Sequence, residues 1–376
     1  MINSKIIVGK DSIKKLSFES YFKDLKSVFL IADLQGDISG AKSMVKKALG
    51  KDIKVTCFQL KASEYAEISS VNKCFEMVKQ AQTDLIVCVG SEVALNIAKA
   101  VKYMLAKKVD KFEELSQGQN DTELIDNETA QKNIEIISVC VGGLNHQQIL
   151  SGYFEIKDIA NNVFYRFNKQ VTIPCAVICD DKAMDKLSSI NKLGIGLASL
   201  IMALVTITNE TDEQKKLASL KAIEIVTKYD IDSSNLIVAE MYAGLDFINL
   251  NNNLLNEFIL TAKSYTFEVY SLILLLAIKN SVKNIVDMLI VSDIELMGSV
   301  YGIESYCGDE KLWKDNFYNE TQKRLDSYFA DKDIPKQLNE IGLNSAQIED
   351  IFEELEGFYG QSETLSKLKD MVYSNY

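Results

Sequence analysis

Short, strongly apolar runs separated by helix-length stretches constrain the first part of this chain more than any other feature. The runs are KIIVG (5–9), SVFLIAD (27–33), IKVTCFQL (53–60), DLIVCVG (84–90), IEIISVCV (134–141) and CAVICD (175–180). Helical patterns near 37–49, 67–80 and 91–107 separate the earlier ones. A strand that returns to the same sheet after a helix must cross over, so neighbouring strands run parallel. Runs this apolar suit strands covered on both faces. The reading is an α/β domain, residues 1–182, with a mostly parallel Rossmann-like sheet.

Beyond residue 183 the texture changes. Helical patterns follow one another over 190–207, 212–228, 234–249, 254–279, 281–291, 311–330, 335–341, 345–359 and 362–374, with no convincing strand. An all-α second domain, 183–376, is expected. The two prolines fit: Pro174 precedes the last strand, and Pro335 opens a late helix, where a missing N–H costs nothing. The polar stretch 110–133 reads as a solvated loop or a partly helical flap. The window VYSLILLLAI, flanked by Glu268 and Lys279, is too short to span a membrane and reads as a core helix.

A net charge of −12 argues against nucleic acid, because binding there rests on Lys and Arg neutralising phosphates. The seven cysteines are odd in number and mostly sit in apolar runs, as small buried hydrophobes do in a reducing compartment. With a strand read almost from the first residue and no leader before it, a cytoplasmic protein is expected.

Read in order, these segments resemble the iron-dependent alcohol dehydrogenase superfamily, which includes glycerol dehydrogenase and, more distantly, dehydroquinate synthase. IIVGKDSIKKL is similar to the family's first strand and short helix. SVFLIADLQGDISGAKSMVKKAL is similar to its second strand, ending in an aspartate, and the helix after it. TDLIVCVGSEVALNIAKAV resembles the phosphate-binding segment, and DIPKQLNEIGLNSAQIEDIFEELEG a C-terminal pattern. The resemblance implies an NAD(P)-dependent oxidoreductase with a divalent metal, a ligand cleft between two domains and a homo-oligomer.

The positions that would carry this chemistry are altered. Counted back from Ala98-Lys99, the family's three glycines and serine fall on Gly90, Ser91, Glu92 and Val93, and its helix aspartate on Asn96. Glycines let a backbone approach a diphosphate, and the helix N-terminus then offers N–H groups to it. Glu92 puts a carboxylate there, although glutamate also suits the positive end of a helix dipole. The family's threonine pair falls on Val141 and Gly142. Gly142-Gly143 still makes a sharp turn able to admit a ligand. By the resemblance Asp33 would accept hydrogen bonds from an adenosine ribose. An aspartate leaving a strand is equally a turn or cap residue. Cofactor-binding candidates are therefore Asp33, Gly90, Ser91, Gly142 and Gly143, for NAD if any cofactor binds.

Family metal ligands are an aspartate and a histidine four residues on, then two further histidines. Here they fall on Gly196, Leu200, Asn253 and Phe267. The chain holds one histidine, His146, so a site requiring two or three cannot form and no metal is expected. His146, Glu257, Lys263 and Tyr265 remain as polar candidates for acid–base work or for a small ligand in the interdomain cleft. Each is equally a loop or surface residue. Tyr103 and Lys107 have the spacing of a short-chain dehydrogenase couple by chance.

Two readings follow. In one, the chain keeps the fold without metal site or phosphate glycines, does no hydride transfer of the family type, and serves in ligand binding, regulation or as a scaffold. In the other it is a metal-independent NAD(P)-dependent oxidoreductase acting on a small alcohol, polyol or aldehyde.

Overall fold

The computed structural model describes residues 4–18, 25–61, 65–116, 134–141, 148–161, 163–185, 192, 195–196, 199–200, 202–204, 206–207, 213–229, 234–247, 283, 286–287, 308–329, 337–341 and 344–373. Its contacts divide it into two units. The first comprises Met1–Leu187 with Asp232–Met241, and the second Ser188–Ile231 with Tyr242–Tyr376.

The apolar runs of the first unit form one parallel sheet: β1 (Lys5–Gly9), β2 (Ser27–Ala32), β3 (Lys54–Gln59), β4 (Leu85–Gly90), β5 (Glu135–Cys140) and β8 (Ala176–Asp180), in the order β1-β8-β5-β4-β2-β3. Every residue of β2, β4 and β8 is buried, as continuous apolar runs require. β3 lies at an edge and exposes Lys54 and Gln59. Crossovers are made by α1 (Leu34–Ile38) and α2 (Ala41–Leu49), α3 (Ile68–Ala81) and α4 (Glu92–Lys107).

Two further strands, β6 (Tyr153–Asp158) and β7 (Val163–Asn168), were not anticipated and pair as an antiparallel hairpin. Their signal was present. In YFEIKD, Phe154 and Ile156 are fully buried while their neighbours are less so, the period-two pattern of a strand covered on one face. At its turn Asp158 accepts from the N–H groups of Ala160 and Asn161.

The hairpin covers α4, which is why residues 93–104 of that helix are all buried. Tyr103 joins this layer. Its ring meets Phe154 and Phe167, which stack on each other at 5.0 Å, and Phe112 sits edge-on to Phe167. Tyr103 is thus a packing residue, one turn before Lys107.

One charge lies inside this packing. Lys99 of α4 is fully buried, and its Nζ donates to the carbonyl oxygens of Gln148, Ser151 and Tyr153 at 2.5, 2.8 and 2.9 Å. An ammonium has three donors, and all three are used. Burial pulls its pKa down to about 7, while the carbonyl cage favours the ammonium. The lysine fixes the segment leading into β6.

In the second unit the described helices include α7 (Glu213–Lys228), which follows α6 (Asp181–Met184) of the first unit and the one-turn α5 (Glu113–Ser116). α8 (Asn235–Phe247) begins among the residues grouped with the first unit. There the Ser234 hydroxyl donates to Asp181. The later helices are α9 (Glu310–Phe329), α10 (Ser345–Tyr359) and α11 (Glu363–Tyr373).

Asn344 opens α10 with a capping box: its side chain accepts from the Gln347 N–H, and the Gln347 side chain accepts from the Asn344 N–H, both at 2.9 Å. Lys369 and Tyr373 of α11 both donate to Glu349 of α10. No strand occurs among the described residues of this unit, so the fold class is as read: a parallel α/β part followed by a mostly helical one. The helical readings over 254–279 lie outside the described residues. Among the described residues no helix is long and apolar enough to cross a membrane.

Replacing the caged lysine tests the packing account. Lys99→Met keeps length and apolar bulk but takes the ammonium donor from three carbonyls, of which that of Gln148 still accepts from the Ser151 N–H and hydroxyl, and should cost about 2 kcal/mol of stability. Urea unfolding reads this directly. A loss below ~1 kcal/mol would mean the cage contributes little.

Candidate functional site

In an open parallel sheet, ligands bind where the direction of strand connection reverses, beyond the carboxyl ends of the two strands involved. After β2 the chain moves outward to β3 at one edge. After β4 it moves the other way, to β5. The reversal therefore lies between β2 and β4, and the residues leaving those strands are Asp33 on one side and Gly90, Ser91 and Glu92 on the other.

Asp33 does not extend outward. It is 5 % exposed, and its carboxylate is spent on two helix starts. Oδ1 accepts from the Gly36 N–H at 2.9 Å, which caps α1. Oδ2 accepts both the Ser91 N–H at 2.6 Å and the Ser91 hydroxyl at 2.7 Å, at the mouth of α4. The Ser91 hydroxyl oxygen in turn accepts from the Val93 N–H as the N-cap of α4. One carboxylate thus sits at the positive ends of two helices.

Backbone geometry makes the arrangement tight. Gly90 has φ +142°, and a Cβ at that position would overlap the Asp33 carboxylate. A Cβ on Gly36 would overlap the Val89 carbonyl, so only glycine lets α1 come this close to the end of β4. The Asp33 N–H donates to the Val89 carbonyl and the Val141 N–H to the Gly90 carbonyl, both at 3.3 Å, which joins the ends of β2, β4 and β5. Burial pushes the Asp33 pKa above its ordinary value. The Gly36 and Ser91 donors pull against that rise, and the Glu92 charge adds to it.

The structure thus brings three sequence candidates, Asp33, Gly90 and Ser91, into one contact. Gly142, Gly143, His146, Glu257, Lys263 and Tyr265 lie outside the described residues, as do Asn253 and Phe267. Gly196 and Leu200 are described, and both are buried. Asn96, at the helix-aspartate position, is 2 % exposed, and its Oδ1 has no hydrogen-bond partner among the described residues. Two features of this region were missed in the sequence. Lys99 entered the sequence reading only as part of the Ala98-Lys99 anchor of the resemblance, with no sign of its carbonyl cage, and the direction of the Asp33 side chain had no local signal.

Residues 3–144 match the family model for iron-containing alcohol dehydrogenase. Solved structures extend the likeness over the whole length. An iron-containing alcohol dehydrogenase from Thermococcus thioreducens is 16% identical, with TM-score 0.69, covering 100% of this chain and 99% of that one. Sulfoacetaldehyde reductase from Bifidobacterium kashiwanohense, solved in complex with NAD+, is 12% identical with TM-score 0.71, covering 100% and 97%. An iron-containing alcohol dehydrogenase from Thermotoga maritima is 15% identical with TM-score 0.65, covering 100% and 98%. This chain has the iron-containing alcohol dehydrogenase fold. The resemblance read in the sequence holds at the level of the fold, at low identity. A comparison with curated proteins by sequence finds no match.

Of the positions that the resemblance gives to a dinucleotide and a metal, those among the described residues fit neither group. The Ser91 N–H, the donor an anion would meet first at α4, is taken by Asp33, and the space beside Gly90 is filled by the same carboxylate. At the two described metal-ligand positions, Gly196 and Leu200 carry no donor atom in their side chains.

The Asp33 shift sets a pH dependence. Between the ordinary value of 3.8 and its raised value, the folded protein holds a proton that the unfolded chain has released. Ionising Asp33 therefore costs stability as pH rises through that window, and the cost is relieved as pH falls. Urea unfolding of the unaltered protein and of Asp33→Asn, compared stepwise across the window, should show the unaltered protein gaining on the variant towards acid. A constant difference contradicts the assignment.

Proposed function

We propose that this protein keeps the iron-containing alcohol dehydrogenase fold without the family's metal-dependent hydride transfer, and works as a ligand-binding, regulatory or scaffold protein. The observation that carries this reading is the occupied turn: Asp33, an anion within the chain, holds the α4 N-terminus that a diphosphate would need. Glu92 in the first turn adds a second negative charge next to it. Like charges at the same helix mouth disfavour a diphosphate further.

Composition supports the same reading. Metal-assisted hydride transfer uses a bound cation to polarise the alcohol oxygen. The donor set of the family asks for three histidines, and this chain has one. With Gly and Leu at two of the ligand positions, no combination of the expected residues rebuilds that set.

The alternative, a metal-independent oxidoreductase using NAD(P)H on a small alcohol, polyol or aldehyde, rests on the retained topology and on the NAD+ bound by the sulfoacetaldehyde reductase relative. It requires the cofactor to bind. Calorimetric titration of the purified protein with NADH separates the two readings. The expected result is no saturable heat at sub-millimolar NADH, with no oxidation of NADH by a panel of short aldehydes. Sub-millimolar binding, or chelator-insensitive turnover, overturns the proposal.

A further inference from the structure

The misfit between the turn and a pyrophosphate has a specific cause. We infer that Asp33 is the residue that excludes phosphate-bearing ligands, by serving as a built-in substitute for the anion at the start of α4. This inference rests on the reading above, that the site does not take the family's cofactor, and goes on to assign the exclusion to one side chain.

Three observations support the assignment over a simpler loss of glycines. First, the backbone geometry that permits close approach of an anion is retained: Gly90 stands at φ +142°, and the volume its missing Cβ leaves free is filled by a carboxylate. Second, the donors are aligned and in use. The Ser91 N–H and hydroxyl meet a single oxygen, Asp33 Oδ2, at 2.6 and 2.7 Å, which is charge-assisted bonding at close range. Third, the carboxylate is locked from behind. Its other oxygen caps α1 through Gly36, which itself lies close against the Val89 carbonyl at the end of β4. The Gln59 amide also donates to the Asp33 carbonyl at 3.2 Å.

The assignment reverses the role that the resemblance gave this aspartate. A residue that accepts from the ribose of a dinucleotide attracts the cofactor, and removing it weakens binding. A residue that occupies the anion's donors repels the cofactor, and removing it strengthens binding. The two roles predict opposite signs for one substitution.

The test titrates inorganic pyrophosphate, and separately NADH, into the full-length protein and into Asp33→Ala, Asp33→Asn and Glu92→Gln. Asp33→Ala is expected to bind pyrophosphate at least about tenfold more tightly than the unaltered protein, the scale of one charge-assisted hydrogen bond freed for the ligand. Glu92→Gln removes a neighbouring charge but frees no donor, so its gain in pyrophosphate binding should stay below about threefold.

Asp33→Asn keeps an acceptor for the Gly36 N–H. It gives the same direction with a smaller gain, and serves if the alanine variant fails to fold, as judged by circular dichroism. Three results overturn the inference: unchanged binding in a folded Asp33 variant, weaker binding in it, or a gain from Glu92→Gln as large as that from Asp33→Ala. NADH binding by the unaltered protein at sub-millimolar concentration would instead defeat the functional reading, so the two failures are distinguishable.

Discussion

A single carboxylate organises the part of this molecule where a ligand would be expected. Asp33 closes the starts of α1 and α4 together, and so ties the ends of the neighbouring strands β2 and β4. A helix leaves four N–H groups without partners at its start, and these must be answered by side chains, water or a ligand. In sheets of this topology the answer at the reversal point is commonly a phosphate from outside. Here it comes from the chain itself. The geometry of Gly36 and Gly90 is what lets the aspartate reach both helices.

A buried carboxylate is costly to keep charged, and burial raises the Asp33 pKa for that reason. Three hydrogen bonds at 2.6 to 2.9 Å and two helix ends offset it. The same logic operates on the far side of α4, where Lys99 is buried among three carbonyls. The helix is thus fastened by an anion at its N-terminus and by a cation in its middle, which holds the segment entering the β6–β7 hairpin. Both fastenings are satisfied internally, and neither leaves a reactive group facing a substrate.

The parallel sheet was legible because strands such as SVFLIA and LIVCVG are apolar at nearly every position, as suits a doubly covered strand. Its long helices were legible from their period. The β6–β7 hairpin was overlooked because YFEIKD alternates and VFYRFN breaks its short apolar run with Arg166, so neither resembles the long apolar strands of the sheet. Of the site, the residues Asp33, Gly90 and Ser91 were identifiable, along with the intrusion of Glu92. The direction of the Asp33 side chain was not. It depends on how closely α1 approaches Val89, and on Ser91, 58 residues away. The partners of Lys99 are likewise 49 to 54 residues distant, beyond the reach of any local pattern.

The most direct test of this account is the Ser91 amide itself, followed by proton–nitrogen NMR on deuterated protein while pH is lowered. If Asp33 holds that N–H, its resonance lies downfield, exchanges slowly with solvent, and moves in step with the carboxyl carbon of Asp33 as the latter takes up its proton. A Ser91 amide that exchanges like an open loop, and is indifferent to the titration of Asp33, would contradict the account.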